Sequence, residues 1–316
     1  MKNAGNVNYL QVDHEIQQVL AEKGVTIMSS PEAYRKFRWT WDHFRREPEE
    51  GYFIWVKKQI DHPLTTCIAM SSPKVSQNPG NLVVIEENIK VEIHSVCNAI
   101  EENLRGEHVG HSKIIVKENS ELKMRHLHSW GKRDLVESGL EFLLGKGAGL
   151  SHTYKCLSVP RRLKIENITF LDSRSSANSE TVVLARGGEV DLHDSTFLNG
   201  EESGGVMKLR MIADKGSRIS SHSRMIANNA GKGHLDCTGL LLDEKSVIDS
   251  VPELLNKNKK AILTHEASIG RISEESLNYL RSRGLTEDEA INLIVTGFLG
   301  EDALFTYKNI LSKDHM

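Results

Sequence analysis

A histidine and a glutamate stand side by side in the segment "AILTHEASIGRI", which runs from Ala261 to Ile272. Glu266 follows Cys237 by 29 residues (266 − 237). A thiolate, an imidazole and a carboxylate are all metal ligands. Thiolate and imidazole suit iron and iron–sulfur clusters, whereas a carboxylate binds more weakly and exchanges more easily. If Cys237, His265 and Glu266 meet, they form a mixed-ligand metal site that can release what it holds.

Two further histidines, His126 and His128, are two residues apart, so on a strand their side chains point to the same face. The pair is consistent with a metal-binding face and equally with solvated polar surface. The chain has no HExxH motif, so a zinc peptidase is not indicated.

The glycine-rich segments "GKGAGLSHT" and "GKGH" lack the spacing of a phosphate-binding loop. We therefore expect this chain to bind no nucleotide itself, and any ATP chemistry to belong to a partner.

The four cysteines do not form a CxxC pair, which argues against a zinc ribbon or a thioredoxin-type site. We expect free thiols in a reducing compartment, and a lone cysteine is typically a small buried hydrophobe. Cys97, in "EIHSVCNAI", is a second cysteine that could have a function, although a buried structural thiol is the favoured interpretation. The cysteines are Cys67, Cys97, Cys156 and Cys237.

The composition is that of an ordinary globular protein, with 39% hydrophobic and 26% charged residues in 316. A formal net charge of −3 gives no indication of nucleic-acid binding. No apolar run approaches the roughly 18 residues of a membrane span, and the N-terminus lacks a hydrophobic signal core. We expect a cytoplasmic protein with no nucleic-acid or membrane partner.

Short β-rich runs separated by small turns extend from about Leu64 to Ile272. The turn residues Gly188, Ser217 and Ser246 recur at intervals of 29 (217 − 188 and 246 − 217). Such a period, with no helices between the strands, favours a mainly β fold, a β-helix of stacked parallel coils, over an antiparallel sandwich. In a β-helix, residues one period apart lie on neighbouring coils, about 4.8 Å apart.

We expect three regions: an N-terminal helical region (1–60), a β-helix core (61–272) and a C-terminal helical region (273–316). In the first, "VDHEIQQVLAEKG" has helical apolar spacing, and Ser30-Pro31 begins a second helix with aromatic residues that pack it onto the core. In the last, Gly284 ends one helix and Thr286-x-x-Glu289 caps the next. The apolar face of that last helix either docks on the core or is offered to a partner; it comprises Ala290, Leu293, Ile294 and Phe298.

Three segments resemble the core of the SufB/SufD family of iron–sulfur cluster assembly scaffolds. They are "SKIIVKENSELKMRHLHSW", "HLDCTGLLLDEKSVIDSVPEL" and "LTHEASIGRISEESLNYLRSRGLTEDEAINLIVTGFL". The resemblance implies a right-handed parallel β-helix with helical regions at both ends and dimerisation through the β-helix. It also implies that a SufC-type ABC ATPase docks on the C-terminal helices.

The combination of Cys237 with His265-Glu266 resembles SufB-type members, because SufD-type members keep the histidine but have glycine after it. The chain is shorter than the usual SufB and is similar to short stand-alone members that work as homodimers. The resemblance implies a non-enzymatic scaffold that holds a transient cluster, expected to be of the 4Fe–4S type, at the dimer interface. ATP would act only through SufC, and a sulfur donor and apo-protein acceptors would be further partners.

Two alternatives compete with a cluster-building scaffold. The first is a SufD-like partner that binds the ATPase without holding a cluster. The second is a β-helix carbohydrate enzyme, which needs paired acids on one face. Asp191 and Asp194 are three apart and are expected to point to opposite faces of a strand.

Overall fold

The computed structural model describes residues 7–44 and 46–299. The chain is mostly β, with 58% of residues in strands, and forms a β-solenoid of about 8 turns with parallel sheets. The β-helix prediction is therefore confirmed, and the antiparallel sandwich is excluded. Within the described ranges, no helix is long and apolar enough to cross a membrane.

Twenty strands, three α-helices and one 3-10 helix make up the described part of the chain. The strands are β1 (Tyr9–Val12), β2 (Glu15–Val19), β3 (Val25–Ser29), β4 (Tyr52–Val56), β5 (Leu64–Met70), β6 (Ser76–Gln77), β7 (Gly80–Ile85), β8 (Lys90–Ala99), β9 (Glu107–Val116), β10 (Glu121–Ser129), β11 (Leu135–Leu144), β12 (Gly149–Ser158), β13 (Arg162–Leu171), β14 (Ser176–Arg186), β15 (Glu189–Leu198), β16 (Ser203–Asp214), β17 (Arg218–Ala227), β18 (Gly231–Leu241), β19 (Val247–Asn256) and β20 (Ile262–Arg271). The helices are α1 (Ser30–Lys36), the 3-10 helix (Arg38–Asp42), α2 (Glu274–Ser282) and α3 (Glu287–Leu299).

Successive strands alternate between two sheets, so each full coil contributes one strand to each. The first sheet has the order β2-β1-β5-β8-β10-β12-β14-β16-β18-β20. The second has the order β19-β17-β15-β13-β11-β9-β7-β4-β3. From β5 onward neighbouring strands are parallel, and β20 is the last strand of the first sheet.

Alternation of side chains produces the core. Along β10 and β12 every second residue is buried, which is the pattern of strands with one face inside the solenoid. Register then stacks like positions into columns: Leu122 lies beside Leu150, and Cys97 and Cys156 flank His128. A small change of type within a column therefore places chemistry at a defined depth in the interior.

The turns repeat with the period read from the sequence. The register pairs Glu189 with Arg218 and Arg218 with Val247, so the residues just before them, Ser217 among them, also recur every 29 positions (218 − 189 and 247 − 218). The Ser217 hydroxyl donates to the Ala185 carbonyl over 3.2 Å. The turn residues thus join one coil to the next as the strands do.

The helix predicted over "VDHEIQQVLAEKG" is wrong. This segment forms an antiparallel hairpin of β1 and β2, and β1 pairs in parallel with β5. Asp13 turns the chain with a φ of 52°, and its carboxylate accepts hydrogen bonds from Ser71 and Ser72. Pairing with the solenoid satisfies the backbone of β1 and buries Tyr9, which a free amphipathic helix would not do.

Helix α1 lies where it was predicted, but its N-cap is Ser29 rather than Ser30. The aromatic residues after it pack on the outer face of the second sheet, as expected: Phe37 and Trp39 contact the cluster that includes Phe53. The N-terminal region therefore contains four strands as well as helices. The boundaries at residues 60 and 272 remain a prediction, and residues 1–6 and 45 lie outside the described part.

Both C-terminal helices form where predicted. Gly284 has a φ of +93°, as a residue after a helix end requires. The Thr286 backbone N–H donates to the Glu289 carboxylate over 2.8 Å, and the Glu289 N–H donates to the Thr286 hydroxyl over 3.3 Å, which is the expected capping box. Residues 300–316 of the predicted C-terminal region lie outside the described residues.

Candidate functional site

Cys237 lies on β18 with its side chain inside the solenoid, fully buried. Burial raises the pKa of the Cys237 thiol, while hydrogen bonding with Ser250 and Ser223 opposes the rise. These serines belong to β19 and β17 of the facing sheet. The thiol therefore sits in a polar part of the interior, close to the last coil.

His265 lies on the same interior-facing side as Cys237. In the β18–β20 register Leu235 pairs with His265 and Cys237 pairs with Ala267. Because side chains alternate between faces, His265 is the diagonal neighbour of Cys237 on the adjacent strand. The structure thus brings the predicted thiol and imidazole to neighbouring positions on one face.

Glu266 is not on that face. The local interval is 30 residues (267 − 237), not 29, so Glu266 pairs with Asp236 and both belong to the outer face of the sheet. A shift of one residue moves a side chain to the opposite side of a strand. The 29-residue spacing therefore placed Glu266 on the right coil but predicted the wrong face.

The end of the solenoid is open at this point. No strand in residues 7–44 or 46–299 covers the free edge of β20, and both His265 and Glu266 are exposed. Large apolar side chains are exposed there too: Val251 (57%), Ile262 (56%) and Ile269 (41%). We call this surface, formed by β19 and β20, the terminal coil.

A second set of ligand types lies several coils away. His126 and His128 are buried inside the solenoid together with Cys97, so the alternative of solvated polar surface is wrong. Burial lowers the pKa of His126 to about 4 and that of His128 well below its ordinary value, so both rings are neutral at neutral pH. Cys97 pairs with His128 in the register, an interval of 31 (128 − 97) close to the solenoid period that the sequence offered as a signal.

The acid pair of a carbohydrate enzyme is not present at Asp191 and Asp194. As predicted, the two side chains lie on opposite faces: Asp194 is buried, and Asp191 lies 3.8 Å from Arg162 on the outside. Asp194 accepts a hydrogen bond from Asn167 over 2.7 Å, and burial raises its pKa to about 6.

Helix α3 docks on the solenoid, which settles the choice left open by its apolar face. Val295 and Leu299 are buried on the outer face of the first sheet, against residues of β12, β14, β16 and β18. Ile294 and Phe298 pack at the edge of this cluster, whereas Leu293 is 52% exposed. Helix α2 has no buried residue, and Tyr279 is 59% exposed.

Comparison with known proteins bears on the whole solenoid. Residues 68–298 match the family described as "SUF system FeS cluster assembly, SufBD core domain". An iron-sulfur cluster assembly SufBD family protein of Archaeoglobus fulgidus is 31% identical over 311 residues, covering 92% of this chain and 84% of that protein.

Two other relatives carry the same family description. The protein from Methanothermobacter thermautotrophicus is 29% identical over 321 residues, covering 93% of this chain and 78% of its own length. One from Pyrococcus horikoshii is 24% identical over 306 residues, with coverage of 90% and 69%. Because the family match runs from β5 into α3 and includes both groups of ligand residues, the chain belongs to the SufBD family of iron–sulfur cluster assembly proteins.

Proposed function

We propose that this chain is a SufB-like scaffold that holds a nascent iron–sulfur cluster at the interface of a homodimer. The observation that carries the proposal is the placement of Cys237 directly beneath His265 on the interior-facing side of an open terminal coil. A soft thiolate and an imidazole at an uncovered edge can hold iron and still release it, because no further coil closes over them.

The terminal coil also supports the homodimer. Edge strands present unpaired backbone groups that pair readily with another strand. In β20 these groups lie next to exposed Ile262 and Ile269. A second copy of the same edge offers both backbone pairing and apolar contact.

Glu266 is assigned the exchangeable ligand. Since it lies on the outer face of its own strand, it reaches the cluster only across the dimer or after β20 twists. Cys237 must lose its proton to bind iron, so cluster binding weakens as the pH falls.

The C-terminal helices are assigned to a SufC-type ATPase. Helix α2 and the exposed Leu293 of α3 leave an uncovered surface with Tyr279 at its centre. The chain itself is not an enzyme in this proposal, and ATP acts only through that partner. A sulfur donor and acceptor apo-proteins complete the system, in the cytoplasm, and the transient cluster is of the 4Fe–4S type.

The test is anaerobic reconstitution with iron and sulfide, followed by absorption and Mössbauer spectra. We expect a cluster in the wild type, loss in Cys237→Ser and a weaker cluster in Glu266→Ala. The control is Cys67→Ser, because Cys67 is a half-buried thiol on β5, in the first coil of the solenoid. A normal cluster in Cys237→Ser would overturn the proposal.

A second candidate is the SufD-like partner scaffold. The full burial of Cys237 and the outward position of Glu266 favour it, since neither group is ready to bind iron in a single chain. Failure to form a cluster in any variant, combined with tight binding of the ATPase, would select this function.

A further inference from the structure

Three ligand atoms converge inside the solenoid, far from the terminal coil. The Cys97 Sγ lies 3.8 Å from the His126 Nε2, and the two Nε2 atoms of His126 and His128 are 2.9 Å apart. All three ligand atoms lie within 4.8 Å of one another, and within the described part of the chain they are the group of three that metal-ligand geometry selects.

The spacing suits a tetrahedral ion. Zinc binds sulfur at about 2.3 Å and imidazole nitrogen at about 2.0–2.1 Å, so neighbouring ligands of a tetrahedral site are roughly 3.3–3.6 Å apart. The observed separations of 3.8 and 2.9 Å bracket this range. Small rotations of the two rings are sufficient to admit an ion.

Rigid elements hold the three residues. Cys97 and His128 are direct neighbours on β8 and β10, and His126 is two residues along the same face of β10. The Tyr154 hydroxyl lies 2.8 Å from the His128 Nδ1. If Nδ1 donates its proton to that oxygen, Nε2 keeps its lone pair for a metal, which is the usual arrangement of a ligating histidine and its supporting hydrogen bond.

We propose that Cys97, His126 and His128 bind one thiophilic divalent transition-metal ion, Zn²⁺ or Fe²⁺, in a closed site that is separate from the cluster-holding terminal coil. One thiolate and two imidazoles are borderline-soft ligands that suit these ions and not Mg²⁺ or Ca²⁺. The His126 Nδ1 is buried and has no hydrogen-bond partner among the residues described, which is a cost that an ion on the same ring would offset.

Trp130 covers the site. Its ring lies 5.2 Å from that of His128, it is buried, and beyond it a surface groove of about 720 Å³ is lined by Ser129, Trp130 and Ser158. Structural zinc sites are closed in this way, whereas sites that act on a substrate keep an open position. The ion is therefore a resident of the fold and not cargo.

The thiol of Cys156 is the nearest rival ligand. It pairs with His128 in the β10–β12 register, but it donates to the Ser158 carbonyl over 3.5 Å and is not a member of the group. The assignment therefore counts three protein ligands.

The experiment is titration of the metal-free full-length protein with Co²⁺, which occupies zinc sites and absorbs light. We expect one Co²⁺ per chain with a thiolate-to-cobalt charge-transfer band. Cys97→Ser loses the band, His128→Gln weakens binding at least 10-fold, and the controls Cys67→Ser and Cys237→Ser keep both. Elemental analysis of anaerobically purified protein then distinguishes Zn²⁺ from Fe²⁺.

Three results would overturn the proposal: no Co²⁺ bound by the wild type, a band retained in both Cys97→Ser and His128→Gln, or a band lost only in Cys237→Ser. If Cys97→Ser does not fold, His126→Gln takes its place, with circular dichroism as the check on folding. Since Cys237→Ser removes the proposed cluster and spares this ion, failure of either proposal is distinguishable from failure of the other.

Discussion

The two groups of ligand residues differ in how the solenoid encloses them. Cys97, His126 and His128 lie in the interior with coils on both sides, and every member is buried. His265 and Glu266 lie on the final strand, where the same fold leaves them exposed. One repeating architecture thus offers a sealed position and an open one, and position along the solenoid decides which ligands exchange with solvent.

The largest expected effect separates the two groups by the cargo they hold. Cys237→Ser should remove nearly all of the reconstituted cluster absorbance, because it removes the only interior thiolate beneath His265 in the described coils. Cys97→Ser should keep most of that absorbance, because its thiol belongs to the sealed group. Iron and sulfide content per chain is the measurement, and equal loss in both variants would abolish the distinction between the groups.

Packing should differ along the solenoid in the same direction. Leu163 of β13 is fully buried, so Leu163→Ala should lower the free energy of unfolding by about 2–5 kcal/mol. Leu255 of β19 is 38% exposed at the terminal coil, so Leu255→Ala should cost less than about 1 kcal/mol in the monomer. Urea denaturation at low protein concentration gives both values; similar losses would mean that the terminal coil is packed as tightly as the middle.

Acid should destabilise the sealed interior. Burial lowers the pKa of His108 and of His152 to about 3. The unfolded chain binds protons below about pH 6.5 while these folded rings stay neutral, so stability is complete above that pH and is lost as the pH falls toward 3. At about pH 5 each ring should cost roughly 2 kcal/mol.

Asp194 acts in the opposite direction. Burial raises its pKa to about 6, so the folded carboxyl takes up a proton before the unfolded one and gains stability as the pH falls from 6 toward 4. One carboxyl offsets less than two histidines lose, so the net effect is destabilising. Urea midpoints of the wild type and His152→Gln at about pH 7.5 and 5 test this; an unchanged pH slope in the variant would exclude His152 as a cause.

The smallest expected effect concerns association through the terminal coil. Ile269→Lys places a charge beside the free edge of β20 and should weaken the homodimer about 10-fold, equivalent to about 1.4 kcal/mol. The matched control is Leu135→Lys, an equally exposed aliphatic residue on β11 (42% against 41%). Sedimentation over a range of concentrations measures the change, and equal effects of the two substitutions would remove the terminal coil as the interface.

The period of the solenoid was readable from the sequence because stacked turns need small residues at fixed intervals. Gly188, Ser217 and Ser246 mark it, and the Thr286–Glu289 capping box is likewise a local signal with a local cause. The N-terminal hairpin was not readable, because Ile16, Val19 and Leu20 have helical spacing. Pairing of β1 with β5, 55 residues along the chain (64 − 9), overrides that local preference.

The candidate sites were readable only in part. Residue types and intervals placed Cys237 and Glu266 on neighbouring coils, but the face depends on one residue in the register, and the interval varies along the solenoid. The burial of His126 and His128 was not readable, because "RHLH" has the same alternation whether its histidines face water or the interior. Cys97 joins them through a register that only the paired strands define.

The docking of α3 has a mechanical consequence. Its buried residues rest on Leu157, Val182, Ile212 and Leu240, which belong to four successive strands of the first sheet. A pull on this helix is therefore shared among four coils as shear along the sheet, and no single strand is peeled away. Load applied at the C-terminal end should displace these coils together as one stiff block, leaving β20, which carries the exposed His265, as the compliant element beside it.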